Sequence, residues 1–152
     1  MAENQKIKAL FIFEIMGRPP EHIKETMGEL VDKLGEFEGV EIFRKEIHEP
    51  KLVEKEGVKD LFTTFSEVEV FGKDLNVILD IVFNAMPSHV EILSPSELRF
   101  KNFDLSSMLS TLTVKLHRYD EIAKAAIINN NMMAKRLKEI EEKTGGGKEE
   151  KK

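Results

Sequence analysis

The feature that most constrains this chain is an apolar repeat between Leu105 and Ile140. Leu105, Leu109, Leu112, Leu116, Tyr119, Ala123, Ala126, Asn130, Met133, Leu137 and Ile140 follow one another at alternating steps of four and three. Asn130 is the one polar member. Such a seam makes an α-helix seek a partner helix. With Leu112, Tyr119, Ala126, Met133 and Ile140 at d, the a positions are Leu109, Leu116, Ala123, Asn130 and Leu137. An asparagine buried at a pairs with its symmetry mate and selects a parallel two-stranded register. These ten residues, Leu109 to Ile140, are the expected dimer interface. Lys115 and Asp120, and Arg136 and Glu141, have the g-to-e spacing of cross-helix pairs. Each exposed pair contributes only a fraction of a kcal/mol.

The length of the repeat decides more than its composition does. A helix over residues 105–140 extends roughly 54 Å at about 1.5 Å per residue. A domain of about 100 residues has a radius of gyration near 13 Å. Part of the seam is therefore expected to meet another chain, or the helix must fold back. Asn129-Asn130-Asn131, three poor helix formers in a row, marks where a turn would fall. The extra apolar residues Met108, Val114, Ile122, Ile127 and Ile128 broaden the stripe as in a helix packed on a core.

Ahead of the helix, periodicity alternates between strand and helix. Lys6 to Met16 is apolar on both alternating sets, as in a central strand covered on both sides. Gly17-Arg18-Pro19-Pro20 ends it and opens a helix from Pro20 to Leu34, with Ile23, Met27, Leu30, Val31 and Leu34 on one stripe. Val40 to His48 reads as a second strand. Lys51 to Asp60 reads as the longest connection, with a short helical turn. Leu61 to Val70 is a third strand, dense in aromatic and β-branched residues. Asp74 is placed to cap a helix from Leu75 to about Asn84. His89 to Leu93 is a fourth strand, and Glu97 to Lys101 a short edge strand. Asp104 is placed to cap the long helix. The glycine-rich, apolar-free segment from Thr144 is expected to be unstructured. The domains expected are residues 1–103, the helix 104–143 and the tail 144–152.

This order resembles the ferredoxin-like split βαβ arrangement: α+β, an antiparallel four- to five-stranded sheet with two helices, here followed by a long C-terminal helix. The resemblance is one of topology, and that topology hosts sensors, RNA-binding domains and enzymes alike.

Composition narrows the function classes. The chain of 152 residues has no cysteine, which removes disulfides, thiolate metal sites and a cysteine nucleophile together. That usage fits a reducing cytoplasm. No apolar run reaches the length of a membrane span, and no signal segment is visible in Met1 to Lys8. Residues 1–104 carry 13 Lys/Arg against 21 Asp/Glu, and residues 105–140 six against three, within a net charge of −5. An acidic domain with a mildly basic helix argues against a dedicated DNA binder. Contact with ribosomal RNA through Lys115, Arg118, Lys124, Lys135, Arg136 and Lys138 stays open as an alternative.

Chemistry-bearing residues are sparse. His22, His48, His89 and His117 show no metal-ligand spacing with one another, so no metal, cofactor or catalytic set is expected. Arg18 and His22 flank the first helix N-terminus, where free N–H groups and the dipole favour an anion. Acylphosphatase-like members of the ferredoxin-like fold hold phosphate in that loop with an arginine. Here two prolines remove donors. Glu14 interrupts the first strand and is expected to face solvent. Phe11, Phe13, Phe62, Phe65 and Phe71 are expected in the core rather than as an RNA-stacking surface. The sequence thus predicts a non-enzymatic homodimeric interaction or regulatory module that assembles through its C-terminal helix. Its partner is a second copy, or else another protein or ribosomal RNA. The alternatives are a translation-associated protein and a small-anion or metabolite sensor or enzyme using the loop after the first strand.

Overall fold

The computed structural model describes residues 6–149, with side chains given to residue 145. The elements are β1 (Ile7–Gly17), α1 (Pro20–Leu34), β2 (Val40–Ile47), β3 (Lys51–Leu52), β4 (Phe62–Gly72), α2 (Leu75–Ala85), β5 (His89–Ser94) and α3 (Asn102–Glu149). The chain divides into two compact units between Lys101 and Asn102.

The first unit is an antiparallel sheet in the order β2-β4-β1-β5, with β3 paired to β4 beyond the end of β2. β4 lies between β2 and β1, the split βαβ topology of the ferredoxin-like fold. Alternation along the strands sorts the side chains into two faces. Ile7, Ala9, Phe11 and Phe13 of β1 point to one face, with Val68 and Val70 of β4. They are buried with Met27, Val31 and Leu34 of α1 and Ile78 and Ile81 of α2. Phe11 and Phe13 stack with ring centroids 6.1 Å apart. Full burial of a side chain of this size contributes about 1.5–3 kcal/mol. Two polar residues of β4 enter the same layer and are satisfied there. The Ser66 hydroxyl lies 3.1 Å from Met27 Sδ, and Thr64 Oγ1 donates to the His48 carbonyl at 2.7 Å.

Local chemistry explains the element ends. Asp74 Oδ1 accepts from the Val77 N–H at 3.0 Å, satisfying one of the free donors at the start of α2. Gly39 adopts φ +81° in the turn into β2, where a Cβ would also meet Lys73 Cδ at 2.9 Å. At Gly72 a Cβ would meet Ile78 Cδ1 at 2.9 Å, so the glycine lets α2 approach the sheet closely.

Several expectations are corrected. The fifth strand is Lys51–Leu52, not Glu97 to Lys101, because β4 extends past β2 and offers Phe62 and Thr63 as pairing partners. Glu97 to Lys101 forms no strand. The first helix and α2 begin where Pro20 and Asp74 predict. Asp104 lies inside the first turn of α3, which starts at Asn102, so it complements the helix dipole rather than capping.

The second unit is one unbroken helix. Asn129-Asn130-Asn131 do not turn the chain. Extending an existing helix adds one hydrogen bond per residue, against a propensity cost below about 1 kcal/mol for each asparagine. The helix likewise runs past residue 144 to Glu149, where an unstructured tail was expected; residues 150–152 of that tail lie outside the described residues. Thr144 Oγ1 donates to the Ile140 carbonyl at 2.7 Å, so this side chain satisfies itself within the helix. No helix among the described residues is long and apolar enough to cross a membrane.

Candidate functional site

Two regions bear on function, one in each unit. On α3 the heptad positions form an apolar line that solvent reaches. Leu116 is 54% exposed, Met133 65%, Leu137 59% and Ile140 59%. Leu109 and Tyr119 are also exposed, as are the small residues Ala123 and Ala126 and the a-position Asn130; Leu112 is half-buried. Within the helix Lys124 pairs with Asp120 at 2.8 Å. That bond engages one carboxylate assigned by spacing to a cross-helix pair.

The other region is the sheet face opposite the α1/α2 core, read from strand register. β1 contributes Lys8, Leu10, Ile12 and Glu14; β4 contributes Phe65, Glu67, Glu69 and Phe71. β2 carries a bulge between Ile42 and Arg44. The extra residue brings Phe43 to this face as well, its ring meeting Phe71 edge-on at 5.5 Å. Lys8 Nζ sits 4.1 Å from the Phe43 ring centroid, and Lys6 Nζ 4.6 Å from that of Phe71. Acids still outnumber these bases. Lys6 is paired with Glu41 at 3.2 Å, and Arg44 reaches Glu69 at 3.1 Å and Glu46 at 3.4 Å.

At the β2 end of this face Glu46 and Glu67 are direct cross-strand partners. His48 follows two residues after Glu46. Its N–H donates to the Phe65 carbonyl at 3.0 Å. Its ring lies on the Phe65 ring, centroids 4.4 Å apart. One ligand-capable atom from each of Glu46, His48 and Glu67 lies within 4.8 Å of those of the other two.

Comparison with known protein families matches residues 8–151 to the family described as MJ0538. The chain belongs to the MJ0538 family. No curated protein and no solved structure matches it.

The residues singled out by sequence distribute unevenly over this MJ0538-family chain. The ten seam residues all fall on α3. Arg18 and His22 are exposed, and among the described residues their side chains form no hydrogen bond or ion pair. The carbonyl of Pro19 accepts from the His22 N–H at 3.2 Å and the Ile23 N–H at 3.4 Å. Glu14 is exposed and accepts from Thr63 Oγ1 at 3.1 Å. Phe11 and Phe13 are core, while Phe65 and Phe71 lie half-buried on the opposite face. The sequence shows no metal-ligand spacing between His48 and another histidine, and it does not mark Glu46 or Glu67 as site residues. The alternation Glu46-x-His48 places both side chains on one strand face. The third member comes from β4, and only the register supplies it.

Proposed function

We propose that this chain is a non-enzymatic homodimeric module for interaction or regulation, and that α3 is its assembly element. The observation that carries the reading is the exposed heptad line on an unbroken helix of 48 residues, about 72 Å long. Large apolar side chains in one continuous line exceed what a monomer ordinarily leaves to water. The occupant that fits is a second copy. The seam is self-complementary in a parallel pair, because each a and d residue meets its own symmetry mate. Asn130 at a then faces Asn130 of that copy, a polar pair that discourages other registers. Ala123 and Ala126 let the two backbones approach closely just before it.

RNA contact is the weaker reading. The basic residues of α3 fall at positions b, c, f and g rather than on one stripe, and Lys124 is already engaged by Asp120. The sheet face that serves RNA in other folds of this topology is acid-rich here. Light scattering at micromolar concentration is expected to give twice the chain mass. Leu116→Asp combined with Leu137→Asp is expected to halve it. A monomeric wild type, or a double variant of unchanged mass, would overturn the proposal. Salt-sensitive retention on ribosomal RNA by the monomeric variant would favour the translation-associated reading instead.

A further inference from the structure

The geometry points to a divalent transition-metal site formed by Glu46, His48 and Glu67 on the open face of the sheet. This inference is independent of the α3 assembly. Two observations carry it. First, His48 Nε2 is shielded from solvent yet has no hydrogen-bond partner among the described residues, and it lies 4.0 Å from Glu67 Oε2. A buried polar atom left unsatisfied is costly and unusual. Second, Glu46 and Glu67 are placed directly opposite each other in the β2/β4 register. Like charges at opposed positions of a sheet destabilise it. Arg44 relieves Glu46, at 3.4 Å; among the described residues no lysine or arginine pairs with Glu67. A cation seated between the three satisfies the imidazole lone pair and both carboxylates at once.

The dimensions suit this. Ligands of a tetrahedral zinc ion bound at about 2.1 Å lie about 3.4 Å from one another. The three atoms are within 4.8 Å, so a small rotation of the two glutamate side chains closes the site. The carboxylates are reachable, with the side chains of Glu46 and Glu67 52% and 34% exposed. The imidazole already lies against the Phe65 ring, tilted to it by 32°. One nitrogen and two carboxylate donors select a first-row ion such as zinc over magnesium or calcium, which favour all-oxygen shells. Three protein ligands leave at least one position for water or for a partner's donor.

The test is calorimetric titration of Zn2+ into the full-length chain freed of metal by chelation, with Mg2+ in parallel. The expected result is one saturable Zn2+ site per chain and no Mg2+ binding. His48→Gln and Glu67→Gln are each expected to weaken Zn2+ at least about tenfold, while His89→Gln leaves it unchanged. Visible absorption of the Co2+-loaded protein, read beside circular dichroism, separates lost ligation from lost folding: it is expected to change in His48→Gln with the fold intact. No saturable binding by the wild type, equal binding of Mg2+, or wild-type affinity and Co2+ spectrum in folded His48→Gln would overturn the site. Should His48→Gln not fold, wild-type affinity in Glu67→Gln would overturn it equally.

Discussion

The imidazole of His48 and the ring of Phe65 lie 4.4 Å apart, centroid to centroid, with their planes tilted by 32°. The same two residues are joined through the backbone by the His48 N–H and the Phe65 carbonyl. Ring and main chain together leave the imidazole little freedom. Phe65 therefore acts as a positioning residue. Phe65→Leu is expected to keep the sheet and to lower zinc affinity several-fold by freeing the ring. Titration calorimetry beside circular dichroism checks this; unchanged affinity in a folded variant would count against a positioning role.

Glu67→Gln offers a sign test. Without metal, removing one of two opposed carboxylates is expected to raise stability by roughly 0.2–1 kcal/mol. The gain should shrink as salt is added. With zinc at 100 times the dissociation constant, the wild type gains about 2.7 kcal/mol by mass action, and the order of the two proteins reverses. Urea melts in chelator and in zinc measure both states. A variant less stable than wild type in chelator would show that the two carboxylates do not oppose each other energetically.

Phe11 is fully buried at the centre of β1. Phe11→Ala is expected to cost about 3–5 kcal/mol, the sum of lost transfer energy and the cavity left behind. Denaturant unfolding measures it. A loss under 1 kcal/mol would mean that the layer between sheet and helices collapses freely around the gap.

Asn130→Leu removes the polar pair proposed at the dimer seam. A higher melting temperature is expected, together with loss of a single assembly state, since a buried asparagine trades stability for register. Thermal melts and light scattering report the two effects. An unchanged melting temperature and mass would place Asn130 outside the interface.

Much of the architecture could be read from the chain alone, because it depends on short-range chemistry. Proline and an acid at the start of α1, the Asp74 cap of α2 and the period-two runs of β1 and β4 all act within a few residues. The seam from Leu105 to Ile140 is likewise local, because the helical period alone aligns its members on one side. Continuity through Asn129-Asn130-Asn131 was not local in this sense. It reflects cooperative extension of a helix already formed, which overrides weak single-residue preferences.

The Glu46, His48 and Glu67 cluster lies beyond such reading. Glu46 and Glu67 are distant in sequence, and their opposition depends on the β2/β4 register. A bulge between Ile42 and Arg44 shifts that register, and a one-residue slip sends a side chain to the other face. The sequence by itself determined the four longer strands and where α1 and α2 begin, but not the brief strand Lys51–Leu52, and it marked an apolar heptad stripe on the last helix. Tertiary structure alone decided which charges share a face, because strand pairing brings together residues that no local spacing connects.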